Sequence, residues 1–378
     1  VGPGNRPRKL TFETGVTDVV QTHSYDGAGR LTRLSQAQGS TELATFGYAF
    51  DDAGNILTRT FEHRSGTPSE DYAHDSLHRL TRTTFGQRDA GGSDPYKGWT
   101  YDDLGNHLTQ DDDGTTTAGL YNAVNEQTAR GGTGLTWSRT GNLTEDDAPG
   151  GGQQYSYDRD NMLTRVEDAS NNLVEEYTYD ALGRRIVAGD GTNDKRFYYS
   201  IRFQILEQTD GSDVVQKAFV WGNYIDELLL MEDTAGDGGT AGADCFALRH
   251  HNYNVVALID DDGTVVERYD YNPYGKRFVL DADFTDDADG ASDYLNPIGH
   301  QGLHHDDETS LVYNRARMLN PTLGRFMQRD PLGYVDGMSV YKYVNSRPIM
   351  FIDPSGEEAC CKDNRPVQDV LLDGFEKG

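Results

Sequence analysis

The chain is poor in several things, and each shortage argues against a class of protein. Cysteine occurs only as Cys245 and the adjacent Cys360 and Cys361, so neither a disulfide framework nor a spaced zinc set can be built. No hydrophobic run approaches the roughly 20 residues a membrane helix needs, and no membrane span is expected. Lys and Arg number 34 against 62 Asp and Glu, a formal net charge of -28. That balance argues against nucleic acid, whose phosphates are met by clustered Lys and Arg, and reads as an acid-rich solubilising surface. Hydrophobic residues make up 35% and mean hydropathy is -0.71, too polar for one thick solid core. The chain begins VGPGNRPRKL, with neither an initiator Met nor an apolar leader, and reads as an excised or processed piece.

What the chain does have is tyrosine and glycine, 22 and 43 residues, with only 12 prolines. Disordered chains lack such aromatics, and these recur in a pattern. The unit is an aromatic, Asp or a substitute, two or three residues, Gly, Asn or Arg, then an aliphatic and Thr. It reads YDGAGRLT from Tyr25, FDDAGNILT from Phe50, HDSLHRLT from His74, YDDLGNHLT from Tyr101, YNAVNEQT from Tyr121, WSRTGNLT from Trp137, YDRDNMLT from Tyr157 and YDALGRRI from Tyr179. A loose period near 20 residues suits an outgoing strand, a turn and a returning strand.

Each unit has a physical reading. Residues before the aromatic, such as EEYTYD at 175–180, mix types that favour strands. The Asp accepts a hydrogen bond from the backbone two residues on, and the later Gly or Asn takes a positive φ, so Asp180 to Gly183 predicts a hairpin turn. Hairpins stacked this way predict an all-β fold: a curled, spiralling antiparallel sheet in which Tyr rings ladder between strands and each repeat leans on its neighbours. Every repeat Tyr and Asp then reads as scaffold. From Lys195 the spacing loosens while strand-like runs continue, and 250–277 reads as a hairpin around Asp262-Gly263.

Two acidic loops invite a calcium reading. Asp233, Asp237, Gly238 and Asp244 fall at loop-template positions 1, 5, 6 and 12, but Ala235 stands at position 3 and the closing Glu is missing. The loop at 281–293 fits less well, with Thr285 at position 1. Both read as solvated loops. The pairs His250-His251 and His304-His305 point to opposite faces on a strand, which disfavours a shared ion. No metal and no cofactor is expected.

The chain is organised around residues 311–356, LVYNRARMLNPTLGRFMQRDPLGYVDGMSVYKYVNSRPIMFIDPSG, which holds two Asp-Pro pairs and a run of arginines ahead of a short, dissimilar tail. Two aspartates sharing a site cannot both ionise easily, so one keeps a proton while the other activates a water. Asp330 and Asp353 are spaced to allow this. On residues alone, both equally read as the starts of Asp-Pro turns.

The YNRARML, NPTLGRF, RDPLG, YKYVNSRP and DPSG runs, in that order, resemble the repeat-associated core of the RHS/YD-repeat family. The resemblance implies a core that seals a strand-built shell and acts as an aspartyl-type autoprotease, freeing a variable C-terminal effector, often a toxin. It places the catalytic roles on Arg317, Asp330 and Asp353, with Arg315, Arg325 and Arg329 as structural partners. The break falls shortly after DPxG, past an aliphatic residue, which is the region of Gly356, Glu357 and Glu358. Here acidic residues replace the aliphatic. It also implies a secreted or cell-surface location and this organisation: YD-repeat sheet 1–191, continued sheet with acidic loops 192–310, core 311–356 and variable tail 357–378. The partner expected is the chain's own C-terminal effector segment. The alternatives are an adhesion module that binds a cell-surface glycan or protein without catalysis, and a degenerate remnant.

Overall fold

The structure, a computed structural model, describes residues 9–12, 18–86, 96–148, 151–234, 244–335 and 337–361. Twenty-five strands, β1 (Lys9–Phe12) through β25 (Arg277–Asp281), form one antiparallel meander in which each strand pairs with the next in sequence. Among the described residues the sheet does not close into a barrel. Among the described residues, β1 pairs only with the second strand and β25 only with the twenty-fourth.

The Asp180 turn shows how the repeat works. Asp180 Oδ1 accepts the N–H of Leu182 at 2.9 Å and of Arg184 at 3.0 Å, and Oδ2 takes Arg184 Nε at 2.7 Å. Gly183 sits at φ 75. The arrangement recurs at Asp26, Asp75 and Asp102. At the His74 repeat the left-handed position is filled by His78, at φ 64. The expected turn is therefore present, and it holds the Asp at two backbone sites rather than one.

The repeat aromatic has its own task. The ladder register slips at Thr100/Tyr101, Ser156/Tyr157 and Thr178/Tyr179, a bulge that sharpens the local twist. The ring then reaches back one repeat. Tyr179 donates to the Leu163 carbonyl at 2.7 Å, Tyr199 to Arg185 at 2.7 Å, Trp137 to Gln127 at 2.7 Å and Tyr271 to Val255 at 2.7 Å. Each acceptor stands near the start of an earlier returning strand. Two positions before the repeat aromatic, a second apolar residue turns inward, as Tyr72, Trp99, Tyr155, Tyr177, Phe197, Phe219 and Tyr269 do, all buried.

The sheet curls far enough for its last strands to lie against its first. Gln36 makes two hydrogen bonds to the backbone of Arg249, Arg64 pairs with Asp270 at 2.7 Å, and Phe12 meets Phe246 edge-on. These are side-chain contacts with no strand pairing behind them.

Into the curl drops a small sheet of β26 (His304–Asp306), β27 (Leu311–Asn314), β28 (Arg317–Asn320) and β29 (Arg325–Phe326). Side chains alternate across it. Tyr313, Met318 and Met327 join one hydrophobic cluster, while Val312, Leu319 and Phe326 join the other. The small sheet thus separates two halves of the core. The small sheet and the segment after it are pinned to repeat turns: Tyr313 Oη to the Gly183 carbonyl at 3.2 Å, Tyr341 Oη to Gly141 at 3.0 Å, Arg325 to Asn125 at 2.8 Å and Asn125 to Met338 at 3.1 Å. A buried ion pair adds to this, Arg185 to Asp306 at 2.6 Å, with both side chains almost wholly hidden.

Candidate functional site

Arg317, Asp330 and Asp353 meet. Arg317 opens β28, and a two-residue turn, Arg315-Ala316, sets it opposite Asn314. Asp330 follows β29, and its backbone N–H binds the Val340 carbonyl at 2.9 Å. Asp353 follows β30 (Phe351–Ile352), and the chain returns by β31 (Cys360–Cys361), which pairs antiparallel with β30. Residues 353–359 are therefore a loop presented to the β27–β28 hairpin.

Arg317 Nη2 lies 3.2 Å from Asp330 Oδ2 and 3.6 Å from Asp353 Oδ2. The first is a hydrogen-bonded ion pair, the second a longer electrostatic contact. Its Nε donates to the Gly356 carbonyl, and Nη1 donates to Val340 at 3.3 Å. The guanidinium lies over the Phe326 ring, 3.7 Å from its centre, which fixes its plane. All three charged groups are buried, at 3%, 9% and 2% exposure, so their interaction is little screened by solvent.

Asp353 Oδ1 accepts the N–H of Gly356 at 2.8 Å and of Glu357 at 3.2 Å. Burial pushes its carboxyl up to about 6; Arg317 and the two N–H groups oppose this, and Asp330 adds to it. Two buried carboxylates against one guanidinium carry more negative charge than it balances, so a proton is retained close to neutral pH. Glu357, half-buried, is also raised, first by burial and then by Asp330. Gly356 sits at φ 73, and a Cβ there would overlap the Asn314 carbonyl oxygen. Only glycine lets the loop come this close.

The other arginines of the segment face elsewhere. Arg315 pairs with Asp226 and donates to the Pro354 carbonyl. Arg325 lies between the Tyr121 and Tyr341 rings. Asp233 faces Lys217 at 3.8 Å. Asp244 lies in a strand, and Ala235, Asp237 and Gly238 fall outside the described residues. In the second acidic loop, Thr285 binds Asp281 and Asp283. His304 contacts Arg185 and Asp306, His305 accepts from the His300 backbone, and His251 meets the Ile349 carbonyl.

Four contributors escaped the sequence reading. Phe326 lay inside the quoted NPTLGRF run. Asn314 was detectable as the residue facing Arg317 across a two-residue turn. Nothing in sequence marks the Val340 carbonyl, or Gln301, whose Oε1 accepts the Asp353 N–H at 3.3 Å.

Comparison with known proteins places the chain in a family. A family profile described as Teneurin YD-shell matches residues 5–350, which takes in Arg317 and Asp330. The tRNA nuclease WapA of Bacillus subtilis is 28% identical over 276 residues, covering 68% of this chain and 11% of that protein. The toxin protein Tse5 of Pseudomonas aeruginosa is 26% identical over 357 residues, covering 88% of this chain and 25% of Tse5. Among solved structures, the Photorhabdus luminescens Tc holotoxin pore aligns with a TM-score of 0.69 at 18% identity, over 91% of this chain and 18% of that one. The TcdB2-TccC3-Cdc42 crystal structure aligns at 0.65 and 18% identity, over 90% and 19%. The chain thus spans a quarter or less of each of these relatives.

Proposed function

The chain belongs to the teneurin YD-shell family, and we propose that it is a length of RHS/YD-repeat shell wall that encloses or delivers an effector carried beyond its core, which it frees by cutting its own backbone beside Gly356. The observation that carries the cutting is the Gly356 carbonyl, held by the same Arg317 guanidinium that contacts two buried aspartates. That carbonyl belongs to the Gly356–Glu357 bond, within the region of Gly356, Glu357 and Glu358 that the resemblance marks.

Asp330 takes a proton from a water as its oxygen adds to the Gly356 carbonyl carbon. Arg317 stabilises the oxyanion that forms. Asp353, raised enough to hold a proton near neutral pH, stands within reach of the Glu357 nitrogen and gives up that proton as the C–N bond breaks. The nascent Gly356 carboxylic acid yields its proton to the new amine, so the products are a carboxylate on Gly356 and an ammonium on Glu357, with Asp330 left protonated and Asp353 ionised.

The carrier role draws support from what the relatives are called. A tRNA nuclease, a toxin protein and a double-stranded DNA deaminase toxin all share this stretch, yet it makes up 11%, 25% and 22% of them respectively. What such different proteins hold in common is better read as the container than as the activity. A secreted or extracellular setting belongs to this proposal.

The test is the intact mass of wild type, Asp330→Asn and Asp353→Asn, each with a carrier protein fused after Gly378. Loss of the carrier in wild type alone supports self-cleavage. Three intact chains would refute it, and saturable binding to cells or glycans that survives Asp330→Asn would put the adhesion reading in its place.

A further inference from the structure

Asn314 ends β27 directly opposite Arg317, and residues opposite each other in an antiparallel pair project to the same face. Val312, Leu319 and Phe326 lie on that face too, and Phe326 carries the Arg317 guanidinium. The Asn314 side chain is therefore directed to the side of the hairpin that holds Arg317. Its backbone carbonyl is the group against which Gly356 is pressed.

Asn314 is fully buried, at 0% exposure, and neither its Oδ1 nor its Nδ2 finds a hydrogen-bond partner among the described residues. A buried amide left this way is costly, and such groups in folded proteins usually mark a partner the protein itself does not supply. The two vacant atoms say what kind of partner. An oxyanion would use only the donor, and Arg317 already serves the Gly356 carbonyl. A water uses both, donating to Oδ1 and accepting from Nδ2.

We propose that Asn314 is a positioning residue that holds the attacking water beside the Gly356 carbonyl, within reach of Asp330. This rests on the self-cleavage reading above. Asp330 still removes the water's proton, and Asn314 exchanges none. Its contribution is to keep the water's oxygen aimed at the carbonyl carbon, where a small misplacement is expected to slow the step roughly a hundredfold.

The test uses the full 378-residue chain made in cell-free synthesis, with release of Glu357–Gly378 followed by mass over time. The variants are Asn314→Leu, close in shape but unable to bind water, and Asn314→Ser, whose hydroxyl both donates and accepts. Melting temperature is read for each in an Asp330→Asn background, so that every chain compared is whole. The expected result is that Asn314→Leu slows cleavage roughly a hundredfold with Tm little changed, because the Asn314 amide makes no hydrogen bond to another described residue that the substitution could remove. Asn314→Ser is expected to recover most of the rate. Wild-type speed in Asn314→Leu overturns the inference while leaving self-cleavage standing. A fall in Tm that tracks the loss of cleavage, with no recovery in Asn314→Ser, makes Asn314 structural and also overturns it. If wild type stays whole, the self-cleavage reading fails and this inference fails with it.

Discussion

Asp330 opens a turn of the kind Asp180 opens, but its backbone N–H and its second carboxylate oxygen are bound by other parts of the chain. In both, Oδ1 accepts the N–H two residues on, from Leu332 at 2.8 Å and from Leu182 at 2.9 Å, and the residue three on closes the turn through its own N–H. In the repeat, Oδ2 is held by the Arg184 side chain four residues later; in the core, it meets Arg317 from a separate hairpin. The candidate acid–base group opens a repeat-like turn, with its second oxygen bound by another part of the chain.

This relationship separates two kinds of aspartate by experiment. Asp102→Ala removes the acceptor for the Leu104 and Asn106 N–H groups and is expected to cost roughly 1 kcal/mol in a urea titration, without touching self-cleavage. Asp330→Asn keeps an acceptor oxygen for Leu332, so its stability is expected to stay close to wild type while cleavage is lost.

The aromatic stitches predict a smaller, repeated effect. Tyr179→Phe leaves the Leu163 carbonyl without its donor and is expected to lower stability by about 1 kcal/mol. Tyr199→Phe and Tyr271→Phe should do the same at Arg185 and Val255. Thermal melts of the singles and of one pair would check it, and sites this far apart should add.

The pin between sheet and core is the Arg185–Asp306 pair. Arg185→Met takes the guanidinium away from the buried Asp306 carboxylate, leaving it Tyr177 and His304, and a loss of about 3–5 kcal/mol is expected, seen as a lower urea midpoint and faster proteolysis around residues 304–313. Beside it, Glu175 is raised above its ordinary value of 4.5 by burial and then by the Asp306 charge. A carboxyl that binds its proton more tightly when folded stabilises the fold at low pH. That contribution fades as pH rises from about 4.5 through neutrality. Glu175→Gln removes this dependence, so its Tm should gain on wild type progressively from acid to neutral pH.

The same sign applies at the candidate site. Asp353 acts as an acid only while protonated, so the cleavage rate is expected to fall as pH rises through about 6. Glu357→Gln takes away a neighbouring carboxylate and should move that midpoint to lower pH. A midpoint that stays in place would show that Glu357 does not act on the pair.

The repeat turns were readable because their chemistry is local. Asp, then Gly or Asn, then an aliphatic all act within one hairpin, so YDALGRRI announces its own fold. After Lys195 the same turn is built from Ser200 and Asn272. Those substitutes accept backbone N–H groups just as Asn122 and Ser138 do in the earlier repeats, but the spacing from turn to turn has loosened. Arg317, Asp330 and Asp353 were found through the motif order, since nothing local brings them together. Their meeting depends on the β27–β28 hairpin, on the Val340 carbonyl that binds both Asp330 and Arg317, and on Gly356 closing against Asn314. The curl of the sheet depends on pairs such as Gln36 with Arg249, far apart in sequence and unmarked by any repeat.

The central claim is that water opens the bond whose carbonyl Arg317 holds. The most direct measurement is to unfold wild type synthesised with Asp330 and Asp353 both intact but kept in denaturant, refold it in water enriched in heavy oxygen, and map the label in the two fragments by mass. The expected result is a new C-terminus at Gly356 carrying one heavy oxygen in its carboxylate, with an unlabelled amine at Glu357. A terminus at any other residue, or a chain that stays whole on refolding, would contradict it.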